Sequence, residues 1–186
     1  MRKIIHWVHT SADGYIEGPG GQFDWAALGP ELAAYSEQLS GRCDAFLFGR
    51  VVWDMMASYW PTADQGDDVD EHTRYYAPRW RETPKVVFSR TLRSAPWNTR
   101  VIGDDLVAQV TELKAAPGRD MVLTGGSALA AALRAHGLVD ETHVAVHPVL
   151  LGGGTPLFLP GERGALRTAG AQMCDGRVVV TDYRPA

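Results

Sequence analysis

Short runs of apolar residues recur along this chain and alternate with stretches in which apolar residues repeat every three or four positions. Runs bounded by turn residues are typical of buried strands, and the three-to-four spacing is typical of amphipathic helices. Strands are therefore predicted at 3–9, 44–48, 85–88, 99–102, 120–124, 142–151, about 168–174 and 177–183. Helices are predicted from Pro30 to about Leu39, after Gly49, near 71–77, after the capping candidates Asp104-Asp105, and after Gly126.

The order of these elements predicts the fold class. Strands and helices alternate as far as residue 136, which favours an α/β fold with a mostly parallel sheet and crossover helices. The remaining residues contain strands without a clear helix, and Asp175-Gly176 between two of them is a hairpin signal. We therefore predict a mixed sheet with at least one antiparallel strand at its C-terminal end. The polar, acidic segment Pro61–Asp70 is predicted to be a surface loop.

Composition narrows the class of protein. A chain of 186 residues most simply forms one domain, residues 1–186. A net charge of −4 argues against nucleic-acid binding, and no apolar run approaches the roughly 18 residues that would span a bilayer. Cys43 and Cys174 form no spacing motif, so each is expected to be a free thiol. We expect a cytoplasmic protein that binds neither nucleic acid nor membranes.

A glycine pair provides the first functional signal. Thr124-Gly125-Gly126-Ser127 joins a predicted strand to a predicted helix, where glycines let the backbone approach a ligand and the helix N–H groups attract phosphate. Alone, the motif is as often a tight connection. A second cluster, Gly152–Gly154, follows the next strand. If the two strands are neighbours, both clusters lie at the sheet edge where ligands of α/β folds bind.

Six segments in order resemble a known family. They are Ser11–Ile16, Asp44–Arg50, Lys85–Ser89, Thr124–Ser127, Asp140-Glu141 and Pro148–Gly154. Together they resemble the dihydrofolate-reductase-like family, specifically the branch of the reductase domain from the bifunctional riboflavin-biosynthesis deaminase–reductase. The resemblance implies a three-layer fold with an eight-stranded mixed sheet, NADPH as cofactor, and a homodimer.

The resemblance also implies a cofactor site. The nicotinamide would be flanked by Ala12, Asp13 and Gly14, and the pyrophosphate would be cradled by Gly125, Gly126, Ser127 and Ala128. Gly49 and Arg50 would approach the cofactor, with Arg50 near the 2′-phosphate. Ser89 and Arg90 would lie under the adenosine phosphate. Independently of the resemblance, the guanidinium fork of an arginine suits a phosphate dianion. Most arginines, however, are simply exposed.

The substrate side departs from the riboflavin-pathway reductase. That enzyme has a lysine after its Asp-Gly pair, where this chain has Tyr15, and a phosphate-binding segment where residues 51–61 are aromatic. The zinc-ligand pattern of the deaminase domain is also absent from this sequence. The aromatic residues Trp25, Trp53, Tyr59 and Trp60 are candidates for the wall of a substrate pocket, although most aromatic residues fill cores.

Candidates for a proton donor are Asp24, on a predicted loop, and Glu31, at the start of the first helix. A loop or cap role competes for Asp24, and a helix N-terminal acid complements the helix dipole at Glu31. His143 and His147 share one face of a predicted strand, but no carboxylate or cysteine completes a ligand set, so no metal is predicted. A structural or interface role is predicted for both histidines.

The leading hypothesis is an NADPH-dependent reductase that transfers hydride to a small heteroaromatic or carbonyl substrate of pteridine or pyrimidine type. The first alternative is a protein of the same fold that binds a nucleotide or another ligand without turnover. The second is the riboflavin-pathway 5-amino-6-(5-phosphoribosylamino)uracil reductase, against which Tyr15 and the aromatic segment argue.

Overall fold

The computed structural model describes residues 1–186 and contains ten strands and five helices. In chain order they are β1 Ile4–Ser11, β2 Tyr15–Glu17, α1 Pro30–Arg42, β3 Cys43–Gly49, α2 Arg50–Tyr59, α3 Glu71–Glu82, β4 Lys85–Phe88, β5 Thr99–Ile102, α4 Leu106–Ala115, β6 Asp120–Thr124, α5 Ser127–Arg134, β7 Glu141–His147, β8 Thr155–Pro156, β9 Leu166–Cys174 and β10 Val178–Pro185. No helix is both long and apolar enough to cross a bilayer.

Eight of the strands form one sheet in the order β5-β4-β3-β6-β1-β7-β10-β9. Strand β10 alone runs opposite to the other seven strands, so the predicted mixed, mostly parallel sheet with an antiparallel C-terminal strand is confirmed. The remaining two strands, β2 and β8, pair with each other in a small second sheet that the sequence pattern does not predict.

Helices cover both faces of the large sheet, which gives three layers. One core cluster packs α1, α2 and α3 against the sheet, through residues such as Leu32, Trp53 and Trp80. The other packs α4 and α5 against the opposite face, through residues such as Val110 and Leu133. Because successive residues of a strand point to opposite faces, β1 contributes to both clusters.

Three local predictions are corrected by the structure. Asp105 precedes α4, but its backbone is left-handed (φ 52°) and its side chain makes no capping hydrogen bond. The strand predicted at 142–151 ends at His147. Strands β6 and β7 are not neighbours, because β1 lies between them and pairs with both.

The hairpin predicted at Asp175-Gly176 is confirmed, and it also holds the start of α1. Both residues have positive φ (55° and 63°), and with Arg177 they form the three-residue loop between the paired residues Cys174 and Val178. The Asp175 carboxylate accepts hydrogen bonds from the N–H groups of Glu31 (2.9 Å) and Leu32 (3.2 Å). In return, the Glu31 carboxylate accepts a hydrogen bond from the Asp175 N–H (2.5 Å). The two acids thus cap each other's backbone and join the C-terminal hairpin to the first helix.

Candidate functional site

The direction of the chain connections changes between β3 and β6 at the C-terminal edge of the sheet, and the space between the starts of α2 and α5 is here called the crevice. From β3 the chain passes through α2 toward β4, whereas from β6 it passes through α5 toward β7, on the other side. The two connections leave in opposite directions, which defines a topological switch point, the place where open α/β sheets bind ligands. Both helices begin here, and a Cβ added at Gly49 would lie 3.8 Å from Leu129 Cβ of α5.

The Gly125-Gly126 turn forms one wall of the crevice. Both glycines have left-handed backbones, with φ of 54° and 68°, a conformation that other residues rarely adopt. The Gly125 N–H donates to the Trp7 carbonyl (3.0 Å), and the Gly125 carbonyl accepts from His6 Nε2 (3.1 Å). Two bonds to β1 therefore fix the turn in place.

The start of α5 presents free hydrogen-bond donors. The helix has no side-chain N-cap, and its first backbone bond joins the Ala130 N–H to the Gly126 carbonyl. The four preceding N–H groups, of residues 126–129, donate to no acceptor in the protein. The Ser127 hydroxyl is already used, since it donates to the Pro156 carbonyl of β8. Of Ser127, only the N–H group lacks a hydrogen-bond partner.

Arg50 and Arg90 flank the same edge. Arg50 is the first residue of α2, and its guanidinium lies 2.7 Å from the Asp54 carboxylate in an ion pair with about half of each side chain exposed. Arg90 follows β4 and makes no ion pair. Together with Ser89 it lines a cleft of about 340 Å³ that extends to Leu129 of α5.

Two other features of that cleft affect its chemistry. The Ser89 hydroxyl accepts a hydrogen bond from the Leu92 N–H (3.0 Å), so it shapes the turn after β4. Asp104 and Asp105 line the same cleft as Arg90. The cleft therefore carries charges of both signs.

The residues after β1 hold a neighbouring loop. The Ala12 N–H donates to the Val149 carbonyl (2.9 Å), and the Asp13 carboxylate accepts from the N–H groups of Leu151 (3.1 Å) and Gly152 (2.8 Å). Hydrogen bonding, first by the Ser11 hydroxyl and then by the Gly152 N–H, lowers the pKa of Asp13. Asp13 is thus an ionised anchor for residues 151–152.

The second glycine cluster has a packing explanation. Gly154 has a φ of 117°, and a Cβ there would lie 2.0 Å from the Glu17 carbonyl oxygen of β2. Only glycine allows this approach of two backbones. Since β1 also separates β6 from β7, the clusters at 125–126 and 152–154 do not form one phosphate site between adjacent strands.

A cavity of about 860 Å³ opens between α1, α2 and the start of α3. Tyr59 and Trp60 line it, as do Phe23, Met55 and Met56, which no sequence signal distinguished from ordinary core residues. Trp25 and Trp53, the other two predicted pocket residues, do not line it.

Those two tryptophans have different surroundings. Trp53 is buried in the core beneath α2, and its indole N–H has no partner. The Trp25 ring packs edge-on against His147 and Phe23, with ring centroids 5.4 Å apart in both cases. Trp25 therefore packs against Phe23, which lines the cavity, but does not line the cavity itself.

Neither predicted proton donor faces the cavity. Asp24 is exposed and makes no hydrogen bond, and Glu31 is engaged with Asp175. The acid–base pair that does line the cavity is Glu37 of α1 and His72 of α3, whose Oε1 and Nδ1 atoms are 3.0 Å apart. These two residues are 35 positions apart in the chain and meet only because α1 packs against α3.

The histidines of β7 have protein partners. His143 Nδ1 lies 2.6 Å from the Tyr35 hydroxyl, and His147 Nε2 lies 2.9 Å from His9 Nδ1. Removal from water lowers the pKa of His9 to about 3, so the His9–His147 contact joins two neutral rings, one donating and one accepting. No group of three or more histidine, cysteine or acidic side chains is arranged to hold a metal ion.

The fold and the crevice define a class of protein. A three-layer domain with this mixed eight-stranded sheet and a ligand crevice at its C-terminal edge is a dihydrofolate-reductase-like domain. Within that class, the family model of the RibD C-terminal domain matches residues 2–180. The chain belongs to this family.

Known proteins show the same relationship. The chain is 34% identical over 159 residues to the uncharacterized protein YyaP of Bacillus subtilis strain 168, covering 86% of this chain and 81% of that protein. It superposes on a putative riboflavin biosynthesis protein from Shewanella sp. PV-4 with a TM-score of 0.74 and 23% identity, over 99% of each chain.

Two more distant structures share the fold. One is a bifunctional diaminohydroxyphosphoribosylaminopyrimidine deaminase and 5-amino-6-(5-phosphoribosylamino)uracil reductase from Thermotoga maritima, with a TM-score of 0.70 and 14% identity over 100% of this chain and 57% of that one. The other is a pyrimidine reductase-like protein from Corynebacterium diphtheriae, with a TM-score of 0.68 and 13% identity over 100% of this chain and 92% of that one. At these identities the likeness concerns the fold.

Proposed function

We propose that this protein is an NADPH-dependent reductase that transfers hydride to a small heteroaromatic or carbonyl substrate. The observation that carries the proposal is the crevice at which α2 and α5 begin, with a row of unpaired N–H groups at residues 126–129. Membership of the RibD C-terminal domain family supports a nicotinamide cofactor there.

The residues of the crevice fit a pyrophosphate. Unpaired N–H groups at a helix start, helped by the helix dipole, bind phosphate oxygens without any positively charged side chain. Gly49 on the opposite wall has an ordinary backbone (φ −75°), and a Cβ there would be in normal contact with Leu129. The fold therefore does not require glycine at position 49. The crevice does require it, because a side chain there would extend into the space between the two helix starts.

The two arginines fit a 2′-phosphate. To bind the phosphate dianion, Arg50 would give up its exposed ion pair with Asp54. The cost is small, because exposed ion pairs contribute only about 0–1 kcal/mol to stability. Arg90 has no carboxylate partner to lose. Asp104 and Asp105 oppose a dianion in the same cleft, so the preference for NADPH over NADH depends on the arginines.

Helix α2 connects the cofactor crevice with the cavity. Val52 lies beside the glycine turn, since a Cβ added at Gly126 would be 3.5 Å from Val52 Cγ2. Met55 and Met56, one helical turn further along, line the 860 Å³ cavity. A rise of about 1.5 Å per residue places that wall roughly 5 Å along the helix from Val52. When bound, the cofactor would supply the hydride, and the chain would orient the acceptor and exclude water.

The first test measures cofactor binding through the change in fluorescence of the six tryptophans during titration with NADPH. We expect Gly49→Ala to weaken NADPH binding at least tenfold while the melting temperature stays unchanged. Gly41→Ala is the matched control, because a Cβ at Gly41 in α1 meets no atom within 4 Å. Failure of the folded parent protein to bind NADPH at millimolar concentration would refute the proposal.

The second test addresses cofactor choice and turnover. Arg50→Gln and Arg90→Gln should weaken NADPH binding and leave NADH binding unchanged, because NADH lacks the 2′-phosphate. Equal affinity of the parent for both cofactors would contradict this assignment. If NADPH binds but no pterin, pyrimidine or dicarbonyl compound oxidises it, the non-catalytic alternative is favoured.

We also propose that the protein is a homodimer. In β9, the edge strand of the large sheet, residues 166–173 are all exposed. A second copy of the chain would cover this strand and its unpaired backbone groups. Light scattering distinguishes the 20.3 kDa monomer from the dimer.

A further inference from the structure

The 860 Å³ cavity is lined by acidic side chains and by no lysine or arginine. Its lining includes three carboxylates, Glu37, Asp70 and Glu71. Asp70 caps α3 by accepting from the Thr73 N–H and hydroxyl (both 2.8 Å), and these bonds lower its pKa and keep it ionised. Glu71 is exposed and has no partner. A phosphorylated ligand would meet three carboxylates here, and no lysine or arginine would pair with its phosphate.

The Glu37–His72 pair is built into this acidic wall. Glu37 and His72 lie 3.0 Å apart, with 30% and 13% of their side chains exposed. The imidazole is held edge-on to Trp60 and stacked on Tyr76, with ring centroids 6.2 and 5.6 Å away. Its Nε2 atom makes no hydrogen bond and is not fully buried, so it is open to the cavity.

We propose that the cavity binds an unphosphorylated planar heteroaromatic or carbonyl compound and that His72 donates the proton that accompanies hydride transfer, with Glu37 positioning the imidazole. This inference rests on the reductase function proposed above. It names the class of substrate and the acid of that reaction.

The proposed step balances in atoms and charge. Hydride from the reduced nicotinamide forms a C–H bond at the carbon of a C=N or C=O group, and the π electron pair of that group moves to its nitrogen or oxygen. His72 Nε2–H transfers its proton to this atom, which leaves a neutral imidazole and the oxidised cofactor. Solvent then reprotonates His72, and Glu37 accepts the hydrogen bond from Nδ1–H throughout.

The titratable groups that face His72 come from α1, α2, α3 and β1. They are Glu37 from α1, Asp70 and Glu71 from the start of its own helix, Tyr76 one turn further on, Tyr59 from α2 and His9 from β1. The first three are acids. His9 adds no positive charge, because removal from water, His147 and His72 together lower its pKa to about 3.

The first experiment compares matched ligands by calorimetry on the protein saturated with NADP⁺. The probes are 5-amino-6-(5-phosphoribosylamino)uracil, the same compound without its phosphate, and pterin. We expect the unphosphorylated uracil to bind at least tenfold more tightly than its phosphate. Tighter binding of the phosphate, or no binding of any probe at millimolar concentration, would overturn the proposal.

Charge reversal is a gain-of-function test. Glu71→Lys should raise the affinity for the phosphorylated uracil at least fivefold, because it places a cation at the cavity. Glu82→Lys is the matched control at the other end of α3, and Glu82 does not line the cavity. An equal effect of both variants would show that the cavity charges do not select the ligand.

The pair itself is tested by kinetics on a compound that the parent reduces. His72→Gln should lower kcat about 100-fold and abolish the fall of kcat toward high pH, since general acids contribute about 10²–10⁴-fold. Glu37→Gln should lower kcat less and shift the same pH profile, with KM changed little. His136→Gln, at an exposed histidine after α5, is the control.

Cofactor binding separates the two proposals. Loss of NADPH binding in the parent would refute the reductase function itself. Normal NADPH binding together with an unchanged kcat and pH profile in His72→Gln would refute only the role of His72.

Discussion

Acid should destabilise this protein through His6, the buried histidine that holds the glycine turn. Its ring is fully buried, with Nε2 3.1 Å from the Gly125 carbonyl and Nδ1 3.4 Å from the Arg134 guanidinium. Burial, and then the positive charge of Arg134, lower the pKa of His6 from 6.5 to about 3. The folded protein therefore keeps His6 neutral, with its proton on Nε2.

The sign of the pH effect follows from which state binds the proton. Between pH 6.5 and about 3 the unfolded chain protonates this histidine and the folded chain does not, so stability falls as the pH falls through that window. One pKa unit corresponds to about 1.36 kcal/mol, so at pH 5 His6 alone lowers the free energy of unfolding by about 2 kcal/mol relative to pH 7. That is a sizeable part of a typical 5–15 kcal/mol.

Urea denaturation at pH 7, 6 and 5 measures this effect. The loss of unfolding free energy between pH 7 and pH 5 should be about 2 kcal/mol smaller in His6→Gln than in the parent. His136→Gln, at an exposed position, should lose as much as the parent. The reasoning fails if His6→Gln and the parent lose the same amount, or if the parent is equally stable at both pH values.

Two further predictions concern backbone packing and capping. Gly154→Ala should lower the free energy of unfolding by more than about 3 kcal/mol, because its Cβ would overlap the Glu17 carbonyl, whereas Gly152→Ala, with positive φ but open space, should cost about 1–2 kcal/mol in urea denaturation. Equal losses would show that the close approach is not the reason for glycine at position 154. Glu31→Ala should cost about 1 kcal/mol through the lost bond to the Asp175 N–H and leave NADPH binding and kcat unchanged; a fall in kcat alone would return Glu31 to a catalytic role.

The predictable parts of the fold are those that local sequence specifies. Strands β4, β5 and β6 have the predicted bounds, and all three lie in the parallel part of the sheet. The Asp175-Gly176 hairpin follows from two residues that accept positive φ. Strands β2 and β8 have only three and two residues, and they pair because Gly154 brings two distant backbones together.

The candidate site likewise has one part that local sequence predicts and one part that only the fold brings together. The strand–glycine–helix geometry of the Gly125-Gly126 turn could be predicted because strand, glycines and helix start are consecutive in the chain, and its role as a phosphate seat stays a prediction. Glu37 and His72 could not be predicted, because neither lies in a motif and only the packing of two helices joins them. For the same reason Trp60, directly after α2, lines the cavity, while Trp53, seven residues earlier and within α2, lies in the core.

Helix α2 is the element that would join the proposed cofactor seat and the cavity in one site. Its start lies at Gly49, across from α5, and its last turns line the cavity through Met55, Met56 and Tyr59. A helix of 10 residues is stiff, so the distance between the two parts is set by the helix and by the packing of Val52 against the glycine turn. Because a hydride donor and acceptor must be held within about 3–3.5 Å, a rigid element spanning both parts meets the main geometric demand of the reaction.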